Sequence, residues 1–204
     1  MKTYKRESSG SDKPRTHPWT DDAAGSGNRY HDFKAQPRLV RTSLEDFTPW
    51  NRYLAVETFY RLLEWLNAPG GEFESNDCEF TGPSANPDPM FRKKLECSGR
   101  LMILYRDLPR NLSRPLIEWL EDALHRALAE LDPGFEWGAV GTTLMRTRYI
   151  DLPVPEAGQI GFQLMVSFWA WGDTEREAMD HLDRLFGNLS RALHDTAVRS
   201  ASER

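Results

Sequence analysis

The alternation of hydrophobic and polar positions predicts one helix followed by two strand–strand–helix units. Positions of period 2 predict four strands, at 73–81, 95–106, 136–150 and 159–171. Positions of period 3.6 predict three helices, at 49–67, 113–131 and from the capping box Thr174-x-x-Glu177 onward. Since two amphipathic helices can cover one face of four strands, we predict an α+β fold. Its sheet is expected to be four-stranded, mainly antiparallel and ferredoxin-like in arrangement.

The first part of the chain follows neither period. Residues 1–42 are rich in Ser, Gly, Asp, Lys and Arg, and they carry nine Lys or Arg against five Asp or Glu. Such a segment cannot bury enough apolar surface to order itself, so we predict a disordered, basic N-terminal arm. The expected organisation is therefore this arm, a single α+β domain at 43–198 and a frayed C-terminus at 199–204.

The strands have a second apolar face that the two later helices do not cover. Its members combine aromatic, methionine and arginine side chains, namely Arg100, Met102, Leu104, Arg106, Met165, Trp169 and Trp171. Contiguous apolar surface of this size is seldom left exposed in a monomer. Either the first helix, 49–67, covers this face, or the face is a protein–protein surface, where Trp, Met and Arg are enriched.

The composition supports a folded, acidic body that is distinct from the basic arm. The 204 residues carry a net charge of -5 and are 39% hydrophobic, yet they include 7 Trp, 10 Phe and 6 Tyr, too many aromatics for a disordered chain. Once the arm is set apart, the remaining residues carry 17 basic and 26 acidic groups. This acidic body disfavours nucleic-acid binding, which would fall to the arm alone, and it favours a basic partner.

Two cysteines stand near the ends of the predicted hairpin. Cys78 and Cys97 are equidistant from a midpoint near residues 87–88, so they could face each other across the two strands. A thiol pair, a disulfide or half of a metal site would follow from that arrangement. Two small buried hydrophobic residues are the favoured interpretation, because no second Cys or His pair has ligand spacing.

The first predicted strand is unusually acidic, with Glu72, Glu74, Asp77 and Glu79. Paired carboxylates can bind a cation or act as acid and base. They also form the charged surface of an edge strand, which discourages aggregation, and we favour this interpretation.

No motif in the sequence indicates catalysis, and we expect no catalytic residue, cofactor or metal. A nucleophile elbow is missing, and the glycines at 138–141 lack the lysine of a phosphate loop. No stretch is apolar enough to span a membrane, the N-terminus has no secretory signal, and two cysteines suit a reducing compartment. These observations favour a cytoplasmic location.

The sequence therefore predicts a non-enzymatic, cytoplasmic protein-interaction module. An adaptor, an assembly subunit or an immunity-type protein would suit it, as would self-association into a homodimer. The alternative is a small-ligand-binding protein or enzyme, with a pocket between the sheet and the first helix lined by Trp50, Trp65 and Tyr105.

Overall fold

The elements of the fold follow the predicted order closely. The computed structural model describes residues 1–7, 13–18, 31–87 and 92–202. Within these residues the strands are β1 (Lys2–Arg6), β2 (Arg15–His17), β3 (Phe73–Ala85), β4 (Leu95–Tyr105), β5 (Gly138–Tyr149) and β6 (Ile160–Gly172). The α-helices are α1 (Leu54–Leu66), α2 (Arg114–Leu131) and α3 (Glu175–Ser202). The α+β class is thus confirmed.

The sheet is mixed, with the order β1-β5-β6-β4-β3 and with β2 also paired to β5. The four strands predicted from the pattern form its antiparallel part, and β1 and β2 run parallel to β5. The expected four-stranded sheet is therefore extended by two strands from the N-terminal arm. A ferredoxin-like arrangement is not confirmed, because α2 and α3 each follow a completed hairpin instead of connecting two parallel strands, and α1 precedes the first hairpin.

The helix ends reflect local backbone signals. Thr48–Trp50 forms a 3-10 turn, and Tyr53 is extended (φ −96°, ψ 140°), so α1 begins later than its Thr-Pro signal suggests. At the start of α3, the backbone N–H of Glu177 donates to Thr174 Oγ1 at 3.2 Å. This helix continues to Ser202, through most of the segment expected to fray, and residues 203–204 lie outside the described part.

All three helices cover the same face of the sheet. In the core, the ring of Phe59 in α1 lies 6.1 Å from Phe168 of β6 and 4.8 Å from Phe186 of α3. α1 therefore buries its broad apolar surface between α3 and the sheet. Of the two alternatives for the opposite face, called the open face below, cover by the first helix is therefore not the one observed.

The N-terminal arm provides the cover instead. From β2, Arg15 reaches Asp77 of β3 at 3.0 Å, and His17 Nδ1 lies 2.7 Å from Asn76 Oδ1. Because β2 pairs with β5 at one side of the sheet while these contacts are on β3 at the other, the arm crosses the open face. Residues 1–42 are expected to be disordered, but the described parts of this arm, 1–7, 13–18 and 31–42, pair with or contact the sheet and helices. The segments 8–12 and 19–30 of the arm lie outside the described residues.

A glycine of β5 leaves room for a tyrosine side chain of the other arm strand, β1. Tyr4 of β1 is in register with Gly141, where an added Cβ would lie 2.6 Å from the tyrosine ring. The ring therefore rests over bare backbone and packs against Trp169, with centroids 5.6 Å apart. Arg6 lies over the same indole, 5.5 Å from its centroid.

Candidate functional site

A cavity of about 930 Å³ lies beside β3. One wall consists of the seven consecutive residues Ser75–Thr81, and the other consists of residues from the segment 31–47. Neighbouring side chains of a strand point to opposite faces, so a cavity that contacts every residue in turn must follow the strand's edge. We call this cavity the edge groove.

The edge groove borders a strand that is paired on one side. β3 is the last strand of the sheet order, and no described strand pairs with its outer side. Its pairing with β4 is regular from Asp77 to Thr81 and shifts register on both sides of this stretch. Beyond the stretch, Trp50 packs on the backbone of β3, because a Cβ on Gly82 would lie 2.1 Å from its indole ring.

The floor of the edge groove is apolar. Phe47 is buried, and its ring stacks between Phe59 of α1 at 4.6 Å and Phe80 of β3 at 4.7 Å. Phe33 and Leu44 add further apolar surface to the lining. Because Phe47, Phe80 and Phe33 are almost completely buried, Leu44 is the more accessible apolar side chain among them, in a lining that is otherwise mainly polar.

The rim of the edge groove is acidic. Four carboxylates line it, those of Glu45, Asp46, Asp77 and Glu79. Arg100 contacts both Asp77 and Glu79, and Arg15 adds a second cation to Asp77. Glu45 and Asp46 are exposed and form no ion pair with another described residue. About two negative charges therefore remain uncompensated at the rim.

The wall formed by residues 31–47 is held at three places. At its start, Lys34 pairs with Glu74 of β3. In its middle, Arg41 pairs with Glu57 and Glu64 on α1, and its guanidinium lowers the pKa of Glu57 to about 2. At its end, the stacked Phe47 anchors the chain in the core, so the wall is a fixed part of the fold.

A buried polar cluster lies where the arm meets β3. Glu74 is 1% exposed, and Lys34 Nζ lies 3.0 Å and 2.8 Å from its two carboxylate oxygens. His17, 3% exposed, places Nε2 3.3 Å from Glu74 Oε1, so both of its ring nitrogens face acceptors. Burial acts to raise the pKa of Glu74, but the hydrogen bonds and charges of His17 and Lys34 outweigh it, and the pKa is lowered.

The cluster continues into the sheet through amides. Asn76 Nδ2 donates to Gln163 Oε1 at 3.0 Å, while Gln163 Nε2 is buried without a hydrogen-bond partner in the described part of the chain. Tyr149 packs edge-on against His17 and donates its hydroxyl to the carbonyl of Phe162, and burial raises its pKa. Of this cluster, only Asn76 also lines the edge groove. We therefore assign the cluster to anchoring the arm.

Three members of the predicted surface are buried. Met102 and Leu104 are fully enclosed, and Leu104 packs in a small cluster with Tyr149 and Leu152. Trp171 is 3% exposed and donates its indole N–H to Glu96 at 2.9 Å. The arm accounts for the first two, because its contacts are on Asp77 and Glu74, the residues paired with Met102 and Leu104.

The other members of that surface lie apart from one another. Trp169 and Met165 are partly exposed on the open face. Arg106 is at the end of β4, where it donates to the carbonyls of Leu66, Ala68 and Gly71 at 3.0 Å each, and so ties α1 to the sheet. Arg100 is the predicted residue that the structure brings to the edge groove.

The two cysteines do not face each other. Because the hairpin pairs Ala85 with Leu95, its centre is displaced from the expected midpoint, and Cys78 pairs with Leu101 instead. Cys97 is buried, with its Sγ 3.7 Å from the sulfur of Met179. Burial raises the pKa of both thiols, that of Cys97 to about 12, so neither is an activated nucleophile.

The alternative pocket is not assembled. Trp50 packs over Gly82 at one end of β3, while Tyr105 is buried opposite Phe73 at the other end, about 30 Å away along the strand. Trp65 stacks on His194 of α3 with centroids 3.8 Å apart. These three aromatic side chains therefore line no common space.

The described residues give no indication of a metal site or of a membrane-spanning helix. No group of three or more His, Cys, Asp or Glu side chains there is placed to hold a metal ion. None of their helices has the length and apolar character needed to cross a membrane. Comparison with protein-family models, with curated proteins and with solved structures finds no match.

Proposed function

We propose that the protein is a non-enzymatic interaction module that binds a basic segment of a protein partner in the edge groove. The observation that carries this proposal is the groove itself, a cavity of about 930 Å³ with an apolar floor and an acidic rim. An adaptor, an assembly subunit or an immunity-type protein would all use such a site. The proposal keeps the cytoplasm as the location, because Cys78 and Cys97 are free thiols.

The charge of the rim supports a basic partner. Glu45 and Asp46 are exposed beside the cavity and lack ion-pair partners among the described residues, so a cation that approaches them loses little hydration and gains attraction. Opposite charge also speeds encounter between proteins. The apolar floor beneath the rim supplies the contact that converts encounter into binding.

The proposal retains part of the surface predicted from the sequence. Arg100 lines the groove, and its neighbours on the open face, Met165 and Trp169, are partly exposed. Both lie outside the groove, and Trp169 already packs against Tyr4, so Arg100 is the member of that surface that belongs to the proposed site. The buried Met102, Leu104 and Trp171 have no direct role in it.

Peptide binding by the full chain tests this proposal. Fluorescein-labelled peptide pools of equal length, cationic, neutral and anionic, are titrated with the protein while fluorescence anisotropy is measured. We expect only the cationic pool to bind. The double change Glu45→Lys with Asp46→Lys should weaken that binding about tenfold, since two rim attractions become repulsions.

A matched control separates the groove from net charge. Glu130 and Glu136 are exposed and form no ion pair with another described residue, and they lie at the end of α2 and in the following loop. Changing both to Lys alters the net charge by the same amount. If the two double variants weaken binding equally, the groove is not the site and the proposal fails.

A further inference from the structure

We propose that the partner segment binds in the edge groove as an extended strand that pairs with Asp77–Thr81 of β3 and alternates cationic with apolar side chains. This inference rests on the proposed function. It adds the conformation and the side-chain pattern of the ligand, because an acidic cavity alone specifies neither of them.

The backbone of β3 offers the pairing edge. Its residues Asp77–Thr81 pair regularly with β4, from Asp77 opposite Met102 to Thr81 opposite Ser98. The same residues line the groove on their outer side, where no described strand pairs with them. A strand edge of this kind is a template for an added strand, whose main-chain hydrogen bonds provide affinity.

The size of the groove matches such a strand. A strand residue occupies about 3.3 Å along the chain, about 4.8 Å across the sheet and about 10 Å through it, or roughly 160 Å³. A cavity of about 930 Å³ then holds about six residues. The regular stretch Asp77–Thr81 is nearly as long.

The two sides of β3 differ in chemistry, and this difference sets the side-chain pattern. Asp77 and Glu79 lie on the open face with Arg100 between them, whereas Phe80 lies on the helix face against Phe47. An added strand would present alternate residues to these two faces. Cations would meet the carboxylates, and apolar side chains would meet the apolar side of the groove, where Leu44 is partly exposed above the buried phenylalanines.

The arm already shows the first half of this pattern. Arg15, on the short strand β2, places its guanidinium 3.0 Å from Asp77. A cationic side chain carried by extended backbone thus binds a carboxylate of β3 within this chain. Glu79 shares Arg100 with Asp77, and Glu45 and Asp46 have no described cation, so further cations can be accommodated.

Charge also decides against a second copy of this chain as the occupant. Pairing β3 with β3 would bring Asp77 and Glu79 of one copy beside the same carboxylates of the other, and like charges across strands are destabilising. The carboxylates that protect the edge from self-pairing therefore select a cationic strand.

A designed peptide series tests the conformation directly on the full chain. The probe is a short fluorescein-labelled peptide of alternating Lys and Val, and its affinity is measured by fluorescence anisotropy. One comparison peptide has the same composition with all Lys residues before all Val residues. A second has the alternating sequence with methyl groups on the backbone nitrogens of alternate residues, which removes main-chain donors along one edge.

We expect the alternating peptide to bind at least about tenfold more tightly than either comparison, because two lost main-chain hydrogen bonds correspond to about a tenfold change. Glu79→Lys should weaken its binding several-fold more than the control Glu136→Lys, which makes the same charge change elsewhere. Circular dichroism of each variant verifies that the fold is retained. The comparison peptides leave the protein unaltered, so they test the inference even if a variant is unstable.

The possible failures are distinguishable. If the methylated and block peptides bind as tightly as the alternating one, and all three weaken with Glu79→Lys, strand pairing is overturned while the proposed function stands. If none of the cationic peptides binds in a groove-dependent way, both are overturned. A concentration-dependent dimer in light scattering that Glu79→Lys abolishes would identify a second copy as the occupant and overturn the inference.

Discussion

Glu74 holds the N-terminal arm to the sheet, and Glu74→Gln should loosen it. The carboxylate is almost completely buried, and its two cationic or hydrogen-bonding partners, Lys34 and His17, both come from residues 1–42. The variant keeps the size of the side chain and removes its charge. The arm should therefore lose its main electrostatic contact with β3, while the helices and the rest of the sheet are unchanged.

The magnitude follows from the burial of each partner. Removing one member of a fully buried ion pair costs about 3–5 kcal/mol, and a hydrogen bond to a charged group contributes about 1.5–3 kcal/mol. Lys34 is about one-third exposed, so water compensates part of its loss. We expect the free energy of unfolding to fall by about 2–4 kcal/mol.

The effect should depend on pH in a defined direction. Because the pKa of Glu74 is lower in the folded protein than its ordinary value near 4.5, ionised Glu74 stabilises the fold. This contribution is complete above the unfolded pKa and disappears as the pH falls through the folded pKa. The difference between Glu74→Gln and the wild type should therefore be largest near neutral pH and shrink below about pH 4.5.

Urea denaturation, followed by tryptophan fluorescence at several pH values, measures this effect. Glu79→Gln is the matched control, since it removes a carboxylate from the same strand whose side chain is 49% exposed, and it should cost less than about 1 kcal/mol. Hydrogen exchange should also rise in residues 13–18 and 31–36 of the Glu74 variant. Equal stabilities for the two variants, or a difference that grows in acid, would refute the reasoning.

Two further predictions concern Phe47, which anchors the end of the groove wall, and Tyr4 of the arm. Phe47→Ala should lower the free energy of unfolding by about 3–5 kcal/mol, because it removes a buried ring stacked between Phe59 and Phe80. A urea midpoint close to that of the wild type would contradict this packing. Tyr4→Ala should lower the free energy of unfolding by about 1–2 kcal/mol and increase acrylamide quenching of tryptophan fluorescence, since the ring covers Trp169. The increase in quenching should vanish when Tyr4→Ala is combined with Trp169→Phe. If the increase persists in that double variant, a different tryptophan is the one exposed.

The body of the fold could be predicted because its signals are local. The four long strands and three helices each carry a sustained period, and the second unit's helix also carries its own cap at Thr174 and Glu177. The arm strands carry no such signal. β1 and β2 have five and three residues, and they are ordered by pairing with β5, more than a hundred residues away in sequence.

The edge groove could be predicted only in part, for the same reason. The acidic strand with Asp77 and Glu79 is visible in the sequence, and Arg100 is among the predicted surface residues. The opposite wall comes from residues 31–47, which have no regular period and depend on separate anchors such as Lys34 and Phe47. A groove between a periodic strand and an aperiodic segment is a tertiary property that neither segment encodes alone.

The position of those anchors links the stability of the arm to the shape of the groove. Lys34 lies near the start of the wall formed by residues 31–47, and Phe47 lies at its end. Glu74, which pairs with Lys34, is adjacent to Ser75, the first residue of the facing wall. Loosening the arm would therefore displace one wall while the edge of β3 stays in place, and a ligand that contacts both walls would lose its contacts with Glu45 and Asp46. Glu74→Gln should then weaken the alternating Lys and Val peptide although Glu74 does not line the cavity, and comparison with Glu136→Gln in the same titration would distinguish this effect from the loss of one negative charge.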